Sequence, residues 1–463
     1  MANQYNVVVL GAGPGGYVAA IRASQLGLKT AIIEKEYWGG VCLNVGCIPS
    51  KSLLKNAEVA HTLQHKAKEF GFSFDNLSLD YGVAFKRSRQ VSSRLVKGIG
   101  FLMKKNNIDV YEGVGKLADQ ETIQVSLNDG SAVTLTAQHI ILATGARPRP
   151  LPGIEFDGER IISYKEAILA EELPESLVII GGGVIGVEVA YMWANYGVDV
   201  TIVEMMSHLL PNEEPEVSKI LEKAYKKLGV KLHLETAVQK VEVTDNGVKV
   251  HVPDGTALVA DKVMLAINFM PNTEDIGLDL AGVKLTERGN IEIDGTMRTN
   301  VPNIYAIGDV ATDFRLAHIA SAMGMVAAEA IAGEETHPVD FLMMPRATYC
   351  VPQVASFGYT EEKAKAAGYE VHTGRFNFMA NGKALGLGEK DGFIKIISDA
   401  KYGEILGAHM VGPDVTELLP ELTLAHNQEL TAAEIAHNVH AHPTLSEALM
   451  EAAHNVEGQA IHG

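Results

Sequence analysis

The stretch Tyr5-Asn6-Val7-Val8-Val9-Leu10-Gly11-Ala12-Gly13-Pro14-Gly15-Gly16 decides how this chain folds. An apolar strand runs into Gly11-x-Gly13-x-x-Gly16. An Ala-rich helical segment follows, then Gly27 and a second strand, Thr30-Ala31-Ile32-Ile33-Glu34. In such a pattern the first glycine makes a tight strand-to-helix turn. The second lets the backbone approach a pyrophosphate, and the third lets the helix pack closely on the sheet. Unpaired N–H groups at the helix start face the phosphates, and the acid ending the second strand accepts from a ribose hydroxyl. One copy is weak evidence, because any Gly-rich turn between a strand and a helix produces it.

The chain carries two copies. Leu177-Val178-Ile179-Ile180 leads into Gly181-Gly182-Gly183-Val184-Ile185-Gly186, then a helix, Gly197 and Thr201-Ile202-Val203-Glu204. In both copies the interior glycine falls 16 residues after the first glycine and the glutamate 23 after it. The repeat predicts two Rossmann-like dinucleotide-binding domains in an α/β chain. A carboxylate about 4 Å from a 2′-phosphate is repelled by about 4 kcal/mol at an effective dielectric near 20. Glu204 therefore favours NAD over NADP, and Met205-Met206-Ser207 after it offer no arginine.

Composition sets the outer limits. At about 150 residues per domain, 463 residues suggest roughly three domains. A net charge of -18 disfavours nucleic-acid binding. No apolar run is long enough for a membrane span. Met-Ala-Asn-Gln-Tyr lacks a basic n-region, so no secretory signal is expected and the cytoplasm is the expected location. Three cysteines exclude a disulfide-stapled scaffold.

Two of those cysteines stand five positions apart in Gly39-Gly40-Val41-Cys42-Leu43-Asn44-Val45-Gly46-Cys47-Ile48-Pro49-Ser50-Lys51. Positions i and i+5 of a regular helix lie about 140° apart, so bridging them needs an irregular turn, for which Asn44 and Gly46 are suited. Two unrelated core cysteines are the bland alternative. Zinc is disfavoured because no second ligand pair lies nearby, and no metal site is expected. A dithiol gives electrons through thiolate attack, whereas nicotinamide takes a hydride; a flavin can do both. That chemistry assigns FAD to the first dinucleotide site and NAD to the second.

These residues resemble the pyridine nucleotide–disulfide oxidoreductases. The cysteine segment and Glu204 are similar to members that oxidise dihydrolipoamide carried on an acyltransferase (E2) of 2-oxo acid dehydrogenase complexes, with reduction of NAD. The resemblance implies a redox-active Cys42–Cys47 disulfide. It extends the FAD site over Gly11, Gly13, Gly16, Glu34, Lys35, Lys51, Gly115, Ala143, Thr144, Gly145, Asp309 and Ala317, with Gly113 near the adenine. It also places Gly181, Gly183, Gly186, Glu188, Glu204, Val238 and Asn268 at the NAD site. Members usually read Ala-Ile-Gly-Arg-x-Pro-Asn where this chain has Ala266-Ile267-Asn268-Phe269-Met270-Pro271-Asn272. Asn268 thus bears on how closely backbone and nicotinamide nucleotide approach.

Near the C-terminus stands His440-Ala441-His442-Pro443-Thr444-Leu445-Ser446-Glu447. A dithiol substrate needs a base, and histidine suits it. Thr444-x-x-Glu447 equally reads as a capping box, with the histidines on the preceding loop. The resemblance implies that His442 is the base, Glu447 orients it, and His440 stands behind. It further implies that His442 serves the dithiol of a second copy, so that a homodimer shares its active sites. Lys51 and Glu188 each read singly as surface charges; the resemblance makes them an ion pair near the flavin. Cys350, in Ala347-Thr348-Tyr349-Cys350-Val351-Pro352, reads as core.

The resulting scheme is an FAD domain over 1–147, an NAD domain over 148–272, a central segment over 273–343 completing the FAD site, and an α+β dimerisation domain over 344–463. Strands are expected at Thr348 to Phe357 and Phe393 to Ile397. Rival readings are a reductase of another small disulfide and a non-catalytic scaffold for an acyltransferase core.

Overall fold

The computed structural model describes residues 3–462. The chain divides into two compact units. The first comprises Met1–Ser52, Val83–Arg149 and Asn268–Phe341. At its centre is β1 (Asn3–Leu10), which turns through Gly11 to Gly13 into helix α1 (Pro14–Gln25) and returns as β2 (Thr30–Glu34). Next come the short helix α2 (Gly40–Val45), α3 (Cys47–His61), the long α4 (Tyr81–Lys105), and strands β3 (Asp109–Leu117), β4 (Thr122–Leu127) and β5 (Ala132–Leu142). β1 lies between β2 and β5, with β3 outside β2 and the strand Ile304–Ala306 outside β5, all parallel. β3, β4 and β5 also join as an antiparallel excursion.

A parallel sheet is covered on both faces, so its strands run apolar without alternation. Val7, Val8, Val9, Ile32, Ile33, Ile140 and Ile141 are accordingly buried. α1 packs against the helix Ala317–Ala332 through small residues. A Cβ on Gly324 would stand 2.6 Å from the Gly15 carbonyl oxygen, so no larger residue fits that crossing without a shift.

The second unit comprises Leu53–Gly82, Pro150–Ile267 and Leu342–Gly463. Its parallel sheet repeats the plan of the first. Ser176–Ile180 sits between Asp199–Val203 and Lys262–Leu265, flanked by Lys231–His233 and Ile161–Ile162. The C-terminal part is a five-stranded antiparallel sheet in the order Arg346–Thr348, Gln353–Gly358, Ile405–Gly412, Phe393–Asp399, Val371–Asn377. The single strand expected over Thr348 to Phe357 is instead two paired strands, broken between Tyr349 and Pro352. Pro352 has no N–H to give to a ladder there. Cys350 is buried in that turn, as the core reading expected. Among the described residues, no helix is long and apolar enough to cross a membrane.

Candidate functional site

The two glycine turns are built alike. Gly11 and Gly181 have φ of 107° and 115°, the left-handed side where a side chain is strained. A Cβ on Gly16 would stand 1.9 Å from the Gly11 carbonyl oxygen, and one on Gly186 would stand 2.0 Å from that of Gly181. The first and third glycines are thus required by the fold itself. The second differs: a Cβ on Gly183 would meet nothing within 4 Å, and one on Gly13 only Gly40 Cα at 3.9 Å. That open side, with helix starts lacking a side-chain cap at both turns, fits a dinucleotide pyrophosphate on unpaired N–H groups.

The two acids clasp their own turns. Glu34 Oε2 accepts from Ala12 N at 2.7 Å, and its Oε1 accepts from Glu36 N and Tyr37 N at 2.8 and 3.0 Å. Glu204 Oε2 accepts from Gly182 N at 2.6 Å and Oε1 from Met206 N at 2.7 Å. In both acids Oε2 accepts a single bond and keeps lone-pair capacity for a ribose hydroxyl. Lys35 is exposed beside Glu34.

Further residues converge on the first turn. A Cβ on Gly11 would stand 2.3 Å from the Ala143 carbonyl oxygen. The Thr144 hydroxyl donates to Asn272 O at 2.8 Å, and Asn272 Nδ2 returns a bond to Thr144 O at 2.9 Å. Gly145 has φ of 72°. On β3, a Cβ on Gly115 would stand 2.5 Å from Leu10 Cδ1, and one on Gly113 would stand 2.2 Å from Ser126 O. Asp309 lies in a single 3-10 turn, Gly308–Val310. Burial pushes its carboxyl up to about 6, with the Arg315 guanidinium opposing. Arg315 Nη1 is a buried donor with no hydrogen-bond partner among the described residues, as a site built for an oxygen-rich cofactor would show. Ala317 opens a helix whose N-terminus also lacks a side-chain cap. Together these residues fit FAD.

Asn268 is exposed and does not take a left-handed φ. Its Oδ1 accepts from Phe269 N at 2.8 Å, and its carbonyl accepts from Arg149 N at 3.0 Å. Val238 packs against the apolar cluster of Val248 and Val250 in the second unit.

Cys42 lies within α2, and Cys47 opens α3. Gly46 separates the helices with φ -134° and ψ -119°, the irregular turn that the spacing requires. A Cβ there would stand 2.9 Å from Val41 O and 3.3 Å from Cys42 Cα. Asn44 Nδ2 closes the loop by donating to Trp38 O and Gly40 O, both at 2.9 Å. The two sulfurs are thiols in contact, since Cys42 hydrogen-bonds to Cys47. That bond, then burial, pushes the Cys42 thiol well above the usual thiol range, against the pull of the Lys51 ammonium. Cys47 stands at the N-terminus of a 15-residue helix, whose dipole favours a thiolate.

In the second unit, Glu188 is buried and its Oε1 accepts from Tyr349 N at 2.9 Å. The capping-box reading of the C-terminal motif is half met. Glu447 Oε2 accepts from Thr444 N at 2.7 Å, which is one arm of a capping box. The Thr444 hydroxyl, however, donates to Ala441 O, and the helix starts only at Glu447. Glu447 Oε1 holds His442 Nδ1 at 2.8 Å. The His442 side chain is 80% exposed, so its other face is open to a reactant. His440 turns instead to Glu421 Oε1 at 2.9 Å and Asn438 O at 2.9 Å.

Sequence reading passed over Tyr349 and Arg315, and over two arginines of α4. Arg89 Nη2 donates to Asn44 O at 2.6 Å, and Arg87 Nη1 donates to Ser52 Oγ at 2.8 Å. The Arg87-Ser88-Arg89 triplet is visible in the sequence, but nothing local says what it grips.

A family model described as pyridine nucleotide-disulphide oxidoreductase matches residues 5–324, and that family's dimerisation-domain model matches 344–453. A dihydrolipoyl dehydrogenase of Corynebacterium glutamicum is 54% identical, covering 100% of both chains. One of Mycobacterium tuberculosis is 55% identical over 99% of each. Among solved structures, LpdA of Mycobacterium tuberculosis superposes with a TM-score of 0.91 at 28% identity, covering 98% of this chain and 99% of that one. The HOCl-induced flavoprotein disulfide reductase RclA of Escherichia coli gives 0.86 at 27%, covering 97% and 99%.

Proposed function

The chain belongs to the pyridine nucleotide-disulphide oxidoreductase family, and from that premise we propose that it oxidises dihydrolipoamide carried on an E2 acyltransferase and reduces NAD+ to NADH. It does so as the E3 component of 2-oxo acid dehydrogenase complexes. Its cofactors are FAD and NAD. The observation that carries the reading is the pair of touching thiols at a helix break, in the same unit as the first glycine turn.

When bound, FAD supplies the conversion of thiol electrons into a hydride for nicotinamide. The chain's own residues hold it and move protons. Gly13 and the start of α1 receive the pyrophosphate, Glu34 and Lys35 the ribose end. Gly115, Ala143, Thr144, Gly145, Asp309 and Ala317 hold the remainder. Gly181, Gly183, Gly186, Glu204, Val238 and Asn268 hold NAD. Lys51, one turn beyond Cys47 on α3, brings a cation to the flavin site.

His442 removes a proton from one substrate thiol, and Glu447 keeps the imidazole oriented. The thiolate attacks Cys42 of the Cys42–Cys47 disulfide. A substrate–Cys42 bond forms, and Cys47 leaves as a thiolate held by the α3 N-terminus. The second substrate thiol, losing its proton, displaces Cys42, so lipoamide departs and two electrons stay on the cysteine pair. The exposed His442 supports a base that serves a second copy of the chain, which makes the homodimer the working unit. The domains follow as 1–147 for FAD, 148–272 for NAD, 273–343 completing the FAD site and 344–463 for dimerisation. The cytoplasm is the proposed location, supported by the scarcity of cysteine.

The deciding experiment compares lipoamide, glutathione disulfide, trypanothione disulfide and mycothione as acceptors from NADH and NADPH. Lipoamide with NADH is expected to dominate. A strong preference for another disulfide overturns the substrate assignment.

A further inference from the structure

We propose that Arg87 and Arg89 form a clamp that holds the two cysteine-bearing helices together and thereby sets the reduction potential of the Cys42/Cys47 couple. The inference rests on the reading that this pair cycles between dithiol and disulfide.

Each arginine grips one half of the redox hairpin. Arg89 Nη2 donates to Asn44 O at 2.6 Å and to Ser92 Oγ at 2.6 Å. Asn44 is in the last turn of α2, where carbonyls lack helical partners and a cation is favoured. Its side chain in turn ties the start of the loop to the same residue through Trp38 O and Gly40 O. Arg87 Nη1 donates to Ser52 Oγ at 2.8 Å and Ser52 O at 3.3 Å, on the helix that Cys47 opens. Between the two arginines, Ser88 is fully buried, and Ser92 is buried below Arg89. The clamp is therefore anchored in a packed stretch of α4. With the cysteines reduced, the covalent link between the two gripped helices is Gly46, a residue with little stiffness of its own.

Forming the disulfide joins the two sulfurs while two protons and two electrons leave for the flavin. Its stability relative to the dithiol rises with the effective concentration of one thiol at the other. A clamp raises that concentration and makes the potential more negative. Charge acts in the opposite sense, because a nearby guanidinium stabilises thiolates and so the reduced pair. The two roles predict shifts of opposite direction.

The test equilibrates FAD-loaded protein with mixtures of reduced and oxidised dithiothreitol, then counts trapped thiols by alkylation and mass. Arg89→Gln and Arg89→Lys are both expected to shift the dithiol–disulfide equilibrium about tenfold toward the dithiol, equivalent to about 30 mV. Ser52→Ala, which removes one Arg87 contact and keeps the backbone one, is expected to shift it the same way by less. FAD content and melting temperature identify any variant that fails to fold, in which case the milder Ser52→Ala decides. Unchanged potentials in folded variants overturn the clamp. A more negative potential in Arg89→Gln with none in Arg89→Lys replaces it by a charge effect and overturns it equally. Absence of any reversible couple in the unaltered protein instead overturns the dithiol reading, and the clamp with it.

Discussion

His442 Nδ1 lies 2.8 Å from Glu447 Oε1, and the other oxygen of Glu447 is occupied by the Thr444 amide. One carboxylate therefore fixes both the imidazole and the loop that carries it. Burial opposes ionisation of Glu447, yet the Thr444 amide and then His442 hold its carboxyl below the usual range. Replacing His442 by Gln is expected to lower lipoamide turnover by roughly 10²–10⁴, and Glu447→Gln by roughly tenfold. Steady-state assays settle this; a loss under tenfold in His442→Gln removes it from the role of base.

The glycine turns predict a division of labour. Gly16→Ala puts a Cβ 1.9 Å from a carbonyl oxygen, so little folded protein is expected. Gly13→Ala has room within the protein. It should fold and yet lose flavin, read as a lower ratio of visible to 280 nm absorbance after gel filtration. Full flavin content in Gly13→Ala contradicts the placement of the pyrophosphate.

Glu213 marks acid sensitivity in the second unit. It is buried, with Oε2 3.0 Å from His409 Nδ1 and Oε1 3.4 Å from Arg346 Nε. Burial works against ionisation, but His409 and Arg346 hold its carboxyl at about 2. Its folded value is below the unfolded one, so its stabilisation is present above about pH 4.3 and disappears as pH falls toward 2. The contribution is on the order of 3 kcal/mol. Glu213→Gln should lower the melting temperature at pH 7, with the gap to the unaltered protein closing on acidification. A gap that stays constant down to pH 3 counts against this account.

Asp309 has the opposite sign. Its carboxyl is pushed up to about 6 by burial, so ionising it costs stability as pH rises from about 4 through 6. Apoprotein carrying Asp309→Asn is expected to melt higher than the unaltered apoprotein at pH 7, and to bind FAD more weakly. Calorimetry and flavin titration measure the two effects separately, and a lower melting temperature at pH 7 refutes the first.

The glycine turns were legible because their geometry is encoded in contiguous residues: a Cβ clash between Gly16 and Gly11 is local, whatever surrounds it. The same holds for the Cys42–Gly46–Cys47 break. The acids at Glu34 and Glu204 were legible as the ends of their strands, though not as clasps on Ala12 N and Gly182 N, since that requires knowing how each strand end faces its turn. The strand break at Tyr349 to Pro352 was missed although Pro352, which has no N–H for a ladder, marked it in the sequence; its apolar neighbours read as one continuous strand.

By itself, then, the sequence determined two dinucleotide turns, a dithiol loop and a histidine–glutamate motif, because each is specified within a short stretch by steric limits or hydrogen-bond reach. Only the tertiary structure decided which groups hold them. Tyr349 N meets Glu188 across 161 positions, and Arg89 meets Asn44 across 45. Such contacts depend on where packing returns the chain, and the side chains that make them carry no local mark of their partner.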